Sequence, residues 1–198
     1  MIVVVAALKG GVGKTSTAVY LSAAAAGRRA VTLLDADPQA SAAEWLETAD
    51  DPGLAGVELA EAPTERLLAR AMAKVGLDEV AVVDTPPGHE RLLQTALDAA
   101  DVAVVPTRVG GVETTQTEAV LGIIPRKVPA GLVICSARTY TRDYHVALTA
   151  WHANSVQVWG SIPERVSIAA GPAGRLSPEG LEAYRSVWRR AQRAARTG

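Results

Sequence analysis

The sequence is short of cysteine and of long apolar runs. Cys135 is the single cysteine in 198 residues, so the chain cannot form an internal disulfide, and no Cys/His spacing typical of metal sites occurs. The N-terminal stretch IVVVAAL is too short to span a membrane and lacks the basic residues that open a signal peptide. We therefore expect a cytoplasmic protein in which Cys135, within the apolar run GLVICS, packs in a strand.

The sequence also has no internal repeat, low-complexity segment or linker long enough to divide it. A length of 198 residues with 48% hydrophobic content suits one domain with a substantial core. We expect a single domain over residues 1–198.

Charge is unevenly distributed along the chain. Residues 1–123 hold 9 basic and 17 acidic side chains, whereas residues 124–198 hold 11 basic and 4 acidic ones, so charges of −8 and +7 nearly cancel to −1. A basic C-terminal part in a nearly neutral protein indicates either an anionic partner on one face or simply solvated helix surfaces.

Short β-branched runs alternate with longer segments of helical periodicity. The runs are continuously apolar, which predicts an α/β fold with a doubly wound, mostly parallel sheet and helices on both faces. The predicted strands are residues 2–6, 30–34, 57–60, 80–83, 102–105, 132–135 and 156–159. The predicted helices are residues 15–26, 41–48, 64–75, 90–99, 113–124, 142–153 and 178–195. Loops are predicted at residues 49–56, 125–131 and 169–177.

Three predicted strands run into segments that carry glycine, lysine or carboxylates. The first strand precedes LKGGVGKTS, the second precedes DADPQAS, and the fourth precedes DTPPGHE. Because ligands bind at the carboxyl ends of the strands in such sheets, we expect these three segments to meet at one edge.

The stretch ALKGGVGKTS, residues 7–16, differs from the usual phosphate-binding pattern G-x-x-x-x-G-K-[ST]. Leu8 replaces the leading glycine, and a second lysine, Lys9, follows it. The glycines let the backbone turn around an anion, which the N-terminus of the next helix also attracts. Lys14 is expected to reach the β- and γ-phosphates of a nucleotide, and Thr15 to bind Mg²⁺. The alternative is a simple glycine-rich turn, but the flanking strand and helix favour a nucleotide site.

The other two segments supply carboxylates. Asp35 and Asp37 lie two residues apart, so they share a face if the strand geometry continues, and they can support a metal shell and position a water. The alternative is a turn in which Ser41 caps the next helix. Asp84 ends an apolar strand, as expected of a carboxylate that supports Mg²⁺ through water, and Pro-Pro-Gly follows as a stiff loop beside a γ-phosphate.

KGGVGKTS, DADPQ and DTPPG together resemble the ParA/MinD ATPases, which have a deviant phosphate loop with a signature lysine. The stretches VVPTRVGGVETTQTEAV and SIPERVSIAAGPAGRLSPEGLEAYRSVW are weaker matches, to the family's dimer-facing loop and its nucleotide-side loop and helix. The short length, without an N-terminal DNA-reading domain, fits the small plasmid-partition ParA proteins best.

The resemblance implies a partition or positioning ATPase in which two subunits sandwich two ATP molecules with Mg²⁺, and in which a ParB-like partner stimulates slow hydrolysis. Lys9 would cross to the other subunit's ATP and stabilise the charge that develops in phosphoryl transfer. The implied catalytic residues are Lys9, Lys14 and the water-positioning Asp37. The implied nucleotide contacts are Lys9, Gly10, Gly11, Val12, Gly13, Lys14, Thr15, Ser16 and, beside adenine, Pro163. The implied metal group is Thr15, Asp35, Asp37 and Asp84.

The resemblance also implies sequence-independent DNA binding by the ATP-bound dimer, and hence association with the nucleoid. The basic C-terminal part supports this, and neutralising DNA phosphates would make binding strongly salt-dependent. The candidate contacts are Arg138, Arg142, Arg165, Arg175, Arg189, Arg190, Arg193 and Arg196, which otherwise are solvated surface charges.

Two alternatives stay open. The last helix has apolar residues at helical spacing with arginines opposite, so it either lies on a membrane, as in the MinD branch, or docks onto the sheet. The tail AARTG lacks the bulky apolar residues of an anchor, which makes a membrane less expected. The other alternative is a metabolic enzyme with the same loop, although one cysteine excludes a nitrogenase-type iron–sulfur cluster and DADPQ favours the partition branch.

Overall fold

The computed structural model of the protein describes residues 1–27, 29–169, 171 and 175–197. Its strands are β1 (Ile2–Val5), β2 (Val31–Asp35), β3 (Val57–Glu61), β4 (Val80–Asp84), β5 (Val102–Thr107), β6 (Ala130–Ala137) and β7 (Val158–Pro163). Its helices are α1 (Lys14–Ala25), α2 (Ser41–Thr48), α3 (Glu65–Met72), α4 (Glu90–Asp98), α5 (Gly111–Ile123), α6 (Arg142–Ala153), α7 (Val166–Ala169) and α8 (Pro178–Thr197).

All seven strands of the described chain form one parallel sheet, in the order β3-β2-β4-β1-β5-β6-β7. The predicted doubly wound parallel sheet is therefore confirmed. β1 lies at the centre, between β4 and β5, so the segment that follows it begins in the middle of the carboxyl edge. That position is where parallel α/β sheets bind their ligands.

Successive residues of the central strands point to opposite faces of the sheet and fill two separate cores. Val3 and Val5 of β1 belong to the core covered by α1, α2 and α8. Val4 of β1, and Ala6 just after the strand, belong to the core covered by α3, α4, α5 and α6. Because strand side chains alternate with a period of two, a strand buried on both faces must be apolar at every position. This accounts for the continuous apolar runs of the sequence.

Several strands begin or end at residues other than those predicted from the sequence, because pairing with neighbouring strands sets their limits. β2 and β4 each include their terminal aspartate, β6 takes in residues 130–131 of a predicted loop, and β7 runs to residue 163. The four-residue α7 was not predicted, since one turn is too short to show periodicity. The predicted loop at residues 169–177 falls partly outside the described residues.

The last helix, α8, packs its apolar face inside the protein. Tyr184, Val187 and Trp188 are buried against α1 and the sheet, and the Tyr184 ring stacks on Tyr20 with 5.1 Å between ring centroids. This face is therefore the docking surface that the sequence left open as one alternative. No helix in the described ranges combines the length and the apolarity that crossing a bilayer requires.

Candidate active site

The three chemically distinctive segments meet at the carboxyl edge of the sheet. The register of the strands places Asp84 opposite Val5 of β1 on one side and opposite Asp35 of β2 on the other. The ends of β1, β2 and β4 are thus adjacent, and the segments that follow them surround the start of α1. The expected convergence is present in the structure.

The loop after β1 has the conformation that its glycines permit. Gly11 and Gly13 have φ of 75° and 99°, in the left-handed region that side chains with a Cβ rarely adopt. A Cβ on Gly13 would in addition lie 3.1 Å from the sulfur of Cys135. α1 begins at the next residue with no side-chain cap, so its first amides are free of side-chain acceptors at the loop.

Lys14, the first residue of α1, is buried beneath this loop. Its ammonium donates a 2.9 Å hydrogen bond to the carbonyl of Lys9. Burial lowers the pKa of Lys14, and the nearby carboxylates of Asp84 and Asp37 partly counteract this effect. Lys14 therefore places a charge-bearing group inside a loop whose amides attract anions, as phosphate binding requires.

Asp84 is the most unusual group of the site. It is 1% exposed, and neither of its carboxylate oxygens has a hydrogen bond of ordinary geometry with a described residue, although the Thr15 hydroxyl lies close enough to lower its pKa. Burial raises the pKa of Asp84 to about 7, an effect that the Thr15 hydroxyl and the Lys14 ammonium only partly offset. A buried carboxylate without a partner is costly, and a bound cation would compensate it.

The residues present fit Mg²⁺ with a nucleotide. The hydroxyl of Thr15 and the carboxylate of Asp84 are hard oxygen groups, and Mg²⁺ commonly takes one or two protein ligands and completes its shell with phosphates and water. The described residues contain no cluster of three or more His, Cys, Asp or Glu side chains that would hold a metal without a nucleotide.

Asp35 has a structural task that the sequence did not reveal. Its carboxylate accepts hydrogen bonds from the backbone amides of Asp37, Ala42 and Ala43, at 3.0, 3.0 and 2.9 Å. Asp35 thus caps α2 from a distance, in place of the predicted cap at Ser41. The same bonds fix the loop that holds Asp37, which is half-buried and accepts a bond from the amide of Gln39. The proposed metal role of Asp35 stays a prediction, and so does the water-positioning role of Asp37.

The side chain of Lys9 reaches the N-terminal turn of α5. Its ammonium lies 2.6 Å from a carboxylate oxygen of Glu113, and its side chain is 38% exposed. The hydrogen bond to Lys9 is the main cause of a lowered pKa at Glu113. Glu113 was not predicted from the sequence, since 104 residues separate it from Lys9 and no local pattern connects the two.

Pro163, predicted to contact adenine, is the last residue of β7 and lies opposite Ala137 of β6. Just beyond this pair, the guanidinium of Arg138 donates a 2.9 Å hydrogen bond to Glu164 and forms an ion pair with it. The ion pair joins the segments that leave β6 and β7 at the carboxyl edge. Pro163 is therefore at the correct edge for a nucleotide contact, which itself remains a prediction.

A small polar network lies behind the phosphate loop. The hydroxyl of Tyr184 is 2.8 Å from that of Thr17, on α1, and both hydroxyls lie within weak hydrogen-bonding distance of the Cys135 sulfur. Cys135 is buried in β6, and its burial raises the pKa of the thiol. The predicted packing of this cysteine in a strand is confirmed. The network connects α8, α1 and β6 at the base of the loop.

The eight predicted DNA-contacting arginines do not form one free surface. Four are engaged in ion pairs, namely Arg138 with Glu164, Arg165 with Glu179, Arg175 with Asp50, and Arg189 with Glu182. Three others, Arg190, Arg193 and Arg196, line a groove of about 1190 Å³ at the amino ends of β6 and β7, on the edge opposite the phosphate loop. Arg142, at the start of α6, is exposed at the carboxyl edge.

Comparison with known protein families agrees with this geometry. The profile of the CobQ/CobB/MinD/ParA nucleotide-binding domain matches residues 3–178, which include all three segments around the phosphate loop. The chain belongs to the ParA/MinD family. The resemblance seen in the sequence is thereby confirmed.

Two relatives of this ParA/MinD chain have names that refer to chromosome partitioning or to carboxysome distribution. The chain is 31% identical over 207 residues to the chromosome-partitioning ATPase Soj of Thermus thermophilus, with 83% of this chain and 82% of Soj covered. It is 46% identical over 100 residues to the maintenance of carboxysome distribution protein A of Gloeobacter kilaueensis, with 50% of this chain covered. That match spans 45% of the carboxysome protein's length.

Solved structures of the family share the fold. The septum site-determining protein MinD of Pyrococcus horikoshii, complexed with Mg-ADP, superimposes with a TM-score of 0.80 at 18% identity. The match covers 98% of this chain and 96% of that protein. At this identity the likeness shows the fold alone.

Proposed function

We propose that this chain is a partition or positioning ATPase that dimerises on ATP, binds DNA without sequence preference and is released when a partner stimulates hydrolysis. The observation that supports this proposal most strongly is Asp84. A buried carboxylate without a partner in the described chain, next to Thr15 and Lys14 at the end of the strand beside the phosphate loop, needs a cation that a nucleotide would bring.

The residues around the loop have distinct proposed tasks. The amides of the loop and of the first turn of α1 would hold the phosphates, and Lys14 would contact the β- and γ-phosphates. Thr15 and Asp84 would hold Mg²⁺, and the bound cation would supply positive charge beside the phosphates. Asp37 would orient the attacking water at the same edge. The positions of these residues at the ends of β1, β2 and β4 support the proposed tasks.

A second copy of the chain is the proposed partner at the carboxyl edge. Three large apolar side chains at this edge are exposed, each following a different strand: Val112 after β5, Tyr140 after β6 and Val166 after β7, at 64%, 82% and 89%. Apolar side chains are concentrated at the centres of protein interfaces. A face-to-face dimer would cover them and would bring two nucleotide sites together.

Lys9 is the residue proposed to make hydrolysis depend on this dimer. Lys14 occupies the inside of its own loop, whereas Lys9 is partly exposed. A second subunit docked on this edge would be within reach of Lys9. A cation placed where negative charge builds is worth about 10³- to 10⁵-fold in rate when it completes a phosphoryl-transfer site. The isolated subunit would accordingly hydrolyse ATP slowly.

Predicted DNA-contacting arginines that form no ion pair among the described residues support the DNA-binding part of the proposal. Arg142, Arg193 and Arg196 are better candidates than the four paired arginines, because a phosphate need not compete with a carboxylate for them. Nucleoid association would follow from such binding. The ATPase-stimulating partner is proposed to be a separate ParB-like or adaptor protein, in keeping with the partition relatives.

The MinD-like membrane alternative has weaker support than DNA binding. The apolar face of α8, which an amphipathic membrane helix would insert, is already buried against α1 and the sheet. A metabolic reaction at the same phosphate loop would need a second substrate next to the nucleotide, and the exposed apolar edge favours a protein surface there instead.

ATP hydrolysis and ATP-dependent dimerisation test the core of the proposal. Wild-type protein with Mg²⁺ and ATP should dimerise and hydrolyse slowly, Lys14→Ala should lose ATP binding, and Lys9→Ala should bind ATP but lose stable dimers and hydrolysis. Lys74→Ala, which changes an exposed lysine just after α3, is the matched control. Hydrolysis by Lys9→Ala at the wild-type rate would contradict the role of Lys9 across the interface.

Retention on non-specific DNA at two salt concentrations tests the second part. The ATP-bound protein should be retained at low salt and released at high salt, with log K falling by about 0.9 per log salt for each phosphate neutralised. Arg193→Ala with Arg196→Ala should lower this slope, whereas Arg189→Ala, whose guanidinium is paired with Glu182, should change it little. Absence of ATP-dependent retention at low salt would reject DNA binding, and ATP-dependent sedimentation with anionic vesicles would favour the MinD-like alternative.

A further inference from the structure

The ion pair between Lys9 and Glu113 lies at the edge where the proposed second subunit would dock. Lys9 follows β1 and Glu113 lies in the first turn of α5, so the pair joins the phosphate loop to the segment that follows β5. Both side chains are only partly exposed, at 38% and 23%. The same turn presents the exposed Val112 directly before Glu113.

Gly110 leaves the room that this ion pair needs. The Glu113 side chain folds back over Gly110, and a Cβ at that position would collide with the Glu113 carboxylate. The backbone of Gly110 is extended, a conformation that alanine also adopts, so the role of this glycine is steric. At the neighbouring Gly111, a Cβ would have no described atom within 4 Å.

A hydrogen bond from Lys14 also holds the phosphate loop at Lys9. Its ammonium holds the carbonyl of Lys9 at 2.9 Å while Glu113 holds the Lys9 ammonium, so both ends of Lys9 are fixed within one subunit. A phosphate group in the loop would compete for Lys14, and a phosphate group across the interface would compete for Lys9. Phosphate groups would therefore compete with both the hydrogen bond from Lys14 and the ion pair with Glu113.

We propose that Glu113 is a positioning residue that holds Lys9 within its own subunit until an ATP-bound second subunit offers phosphates in its place. This rests on the proposed function, since it needs Lys9 to cross the interface. Glu113 then sets how easily the dimer forms, whereas the rate of hydrolysis within the formed dimer is independent of it.

The expected size of the effect follows from the exposure of the pair. A partly exposed ion pair shifts an equilibrium by about 1.4- to 5-fold. Two such pairs break when one dimer forms, so their removal should lower the dimer dissociation constant with ATP by about 2- to 25-fold. Without nucleotide, no dimer is expected in either protein.

The test compares Glu113→Gln with wild-type protein in Mg²⁺ and ATP. The dimer dissociation constant, measured by analytical ultracentrifugation, should fall by the stated factor, and ATPase activity should rise at low protein concentration. Activity per dimer at saturating protein should stay unchanged. Glu118→Gln, which removes the same charge from an exposed position on α5, is the matched control and should change neither quantity.

Gly110→Ala tests the same idea without changing any charge. Its Cβ should displace the Glu113 carboxylate from Lys9 and should lower the dimer dissociation constant in the same direction, whereas Gly111→Ala should not. Circular dichroism of each variant establishes that it is folded. A lower activity per dimer in Glu113→Gln, or an unchanged dissociation constant in both test variants, would overturn the proposal. An unaffected Lys9→Ala protein would instead reject the role of Lys9 across the interface on which the proposed function depends, which keeps the two failures distinct.

Discussion

Replacing Asp84 with asparagine is expected to make protein stability less sensitive to pH in the absence of nucleotide. Burial raises the pKa of Asp84 from an ordinary value of 3.8 to about 7, so the unfolded chain ionises this carboxyl at a lower pH than the folded protein does. Between those two values unfolding releases a proton, so this group's contribution lowers the wild-type free energy of unfolding as pH rises. Asparagine does not titrate and removes that contribution.

The magnitude follows from the gap between the two pKa values. Each pKa unit corresponds to about 1.4 kcal/mol, so the whole gap amounts to roughly 4 kcal/mol, of which about 3 kcal/mol accumulates between pH 5 and pH 8. A buried asparagine amide without partners costs about 1–3 kcal/mol at every pH. The quantity to measure is therefore the difference in free energy of unfolding between wild-type protein and Asp84→Asn, and how that difference changes with pH.

Urea unfolding followed by circular dichroism at pH 5 and pH 8 measures this quantity. The difference in free energy of unfolding should shift by about 3 kcal/mol in favour of Asp84→Asn on going from pH 5 to pH 8. Mg²⁺ with ADP should stabilise the wild-type protein more than the variant, because a cation compensates the carboxylate. The exposed Asp78→Asn serves as the control. A difference that is the same at both pH values would contradict a buried, unpaired carboxylate at this position.

Three further substitutions test the framework that holds the site. Gly13→Ala should lower the free energy of unfolding by about 1–3 kcal/mol and weaken nucleotide binding, because φ is 99° and the new Cβ would lie 3.1 Å from the Cys135 sulfur. Asp35→Ala should cost about 1–2 kcal/mol by leaving three amides of the next loop and helix without their acceptor. Tyr184→Phe should cost about 1 kcal/mol through loss of the 2.8 Å bond to Thr17. Urea unfolding measures all three effects, and nucleotide titration measures the binding effect.

Each of these has a matched control in the chain. Gly27→Ala adds a methyl group with no described atom within 4 Å, Asp78→Ala removes an exposed carboxylate, and Tyr140→Phe removes the hydroxyl of a tyrosine that is 82% exposed. The three controls should change stability by less than about 0.5 kcal/mol. Equal effects in test and control variants would show that the contacts of Gly13, Asp35 and Tyr184 do not stabilise the protein.

The fold class was predictable because burial on both faces leaves a direct trace in the sequence. Strands such as β4 and β5 are buried at every position and read as unbroken apolar runs, while helices show a separate periodicity. Strand ends were less predictable, since hydrogen bonding to a neighbouring strand decides them. β6 accordingly begins inside a segment predicted as a loop.

The position of the site was also visible in the sequence, but its contacts were not. The glycines, Lys14 and Asp84 could be placed at one sheet edge because each follows directly from a predicted strand. The use of Asp35 as a cap depends on amides up to eight residues away, and the ion pairs of four arginines depend on side chains that fold next to them. No local pattern in the sequence encodes such pairs.

By itself, the sequence determined the parallel sheet and the phosphate loop, because periodicity and glycine spacing are local properties of the chain. Only the tertiary structure decided which polar groups have hydrogen-bond or ion-pair partners. Among the described residues, it left the carboxylate of Asp84 buried without a partner and placed Glu113 against Lys9 across 104 residues. Burial and long-range contact depend on how the strands pack, and that arrangement exists only once the whole sheet has formed.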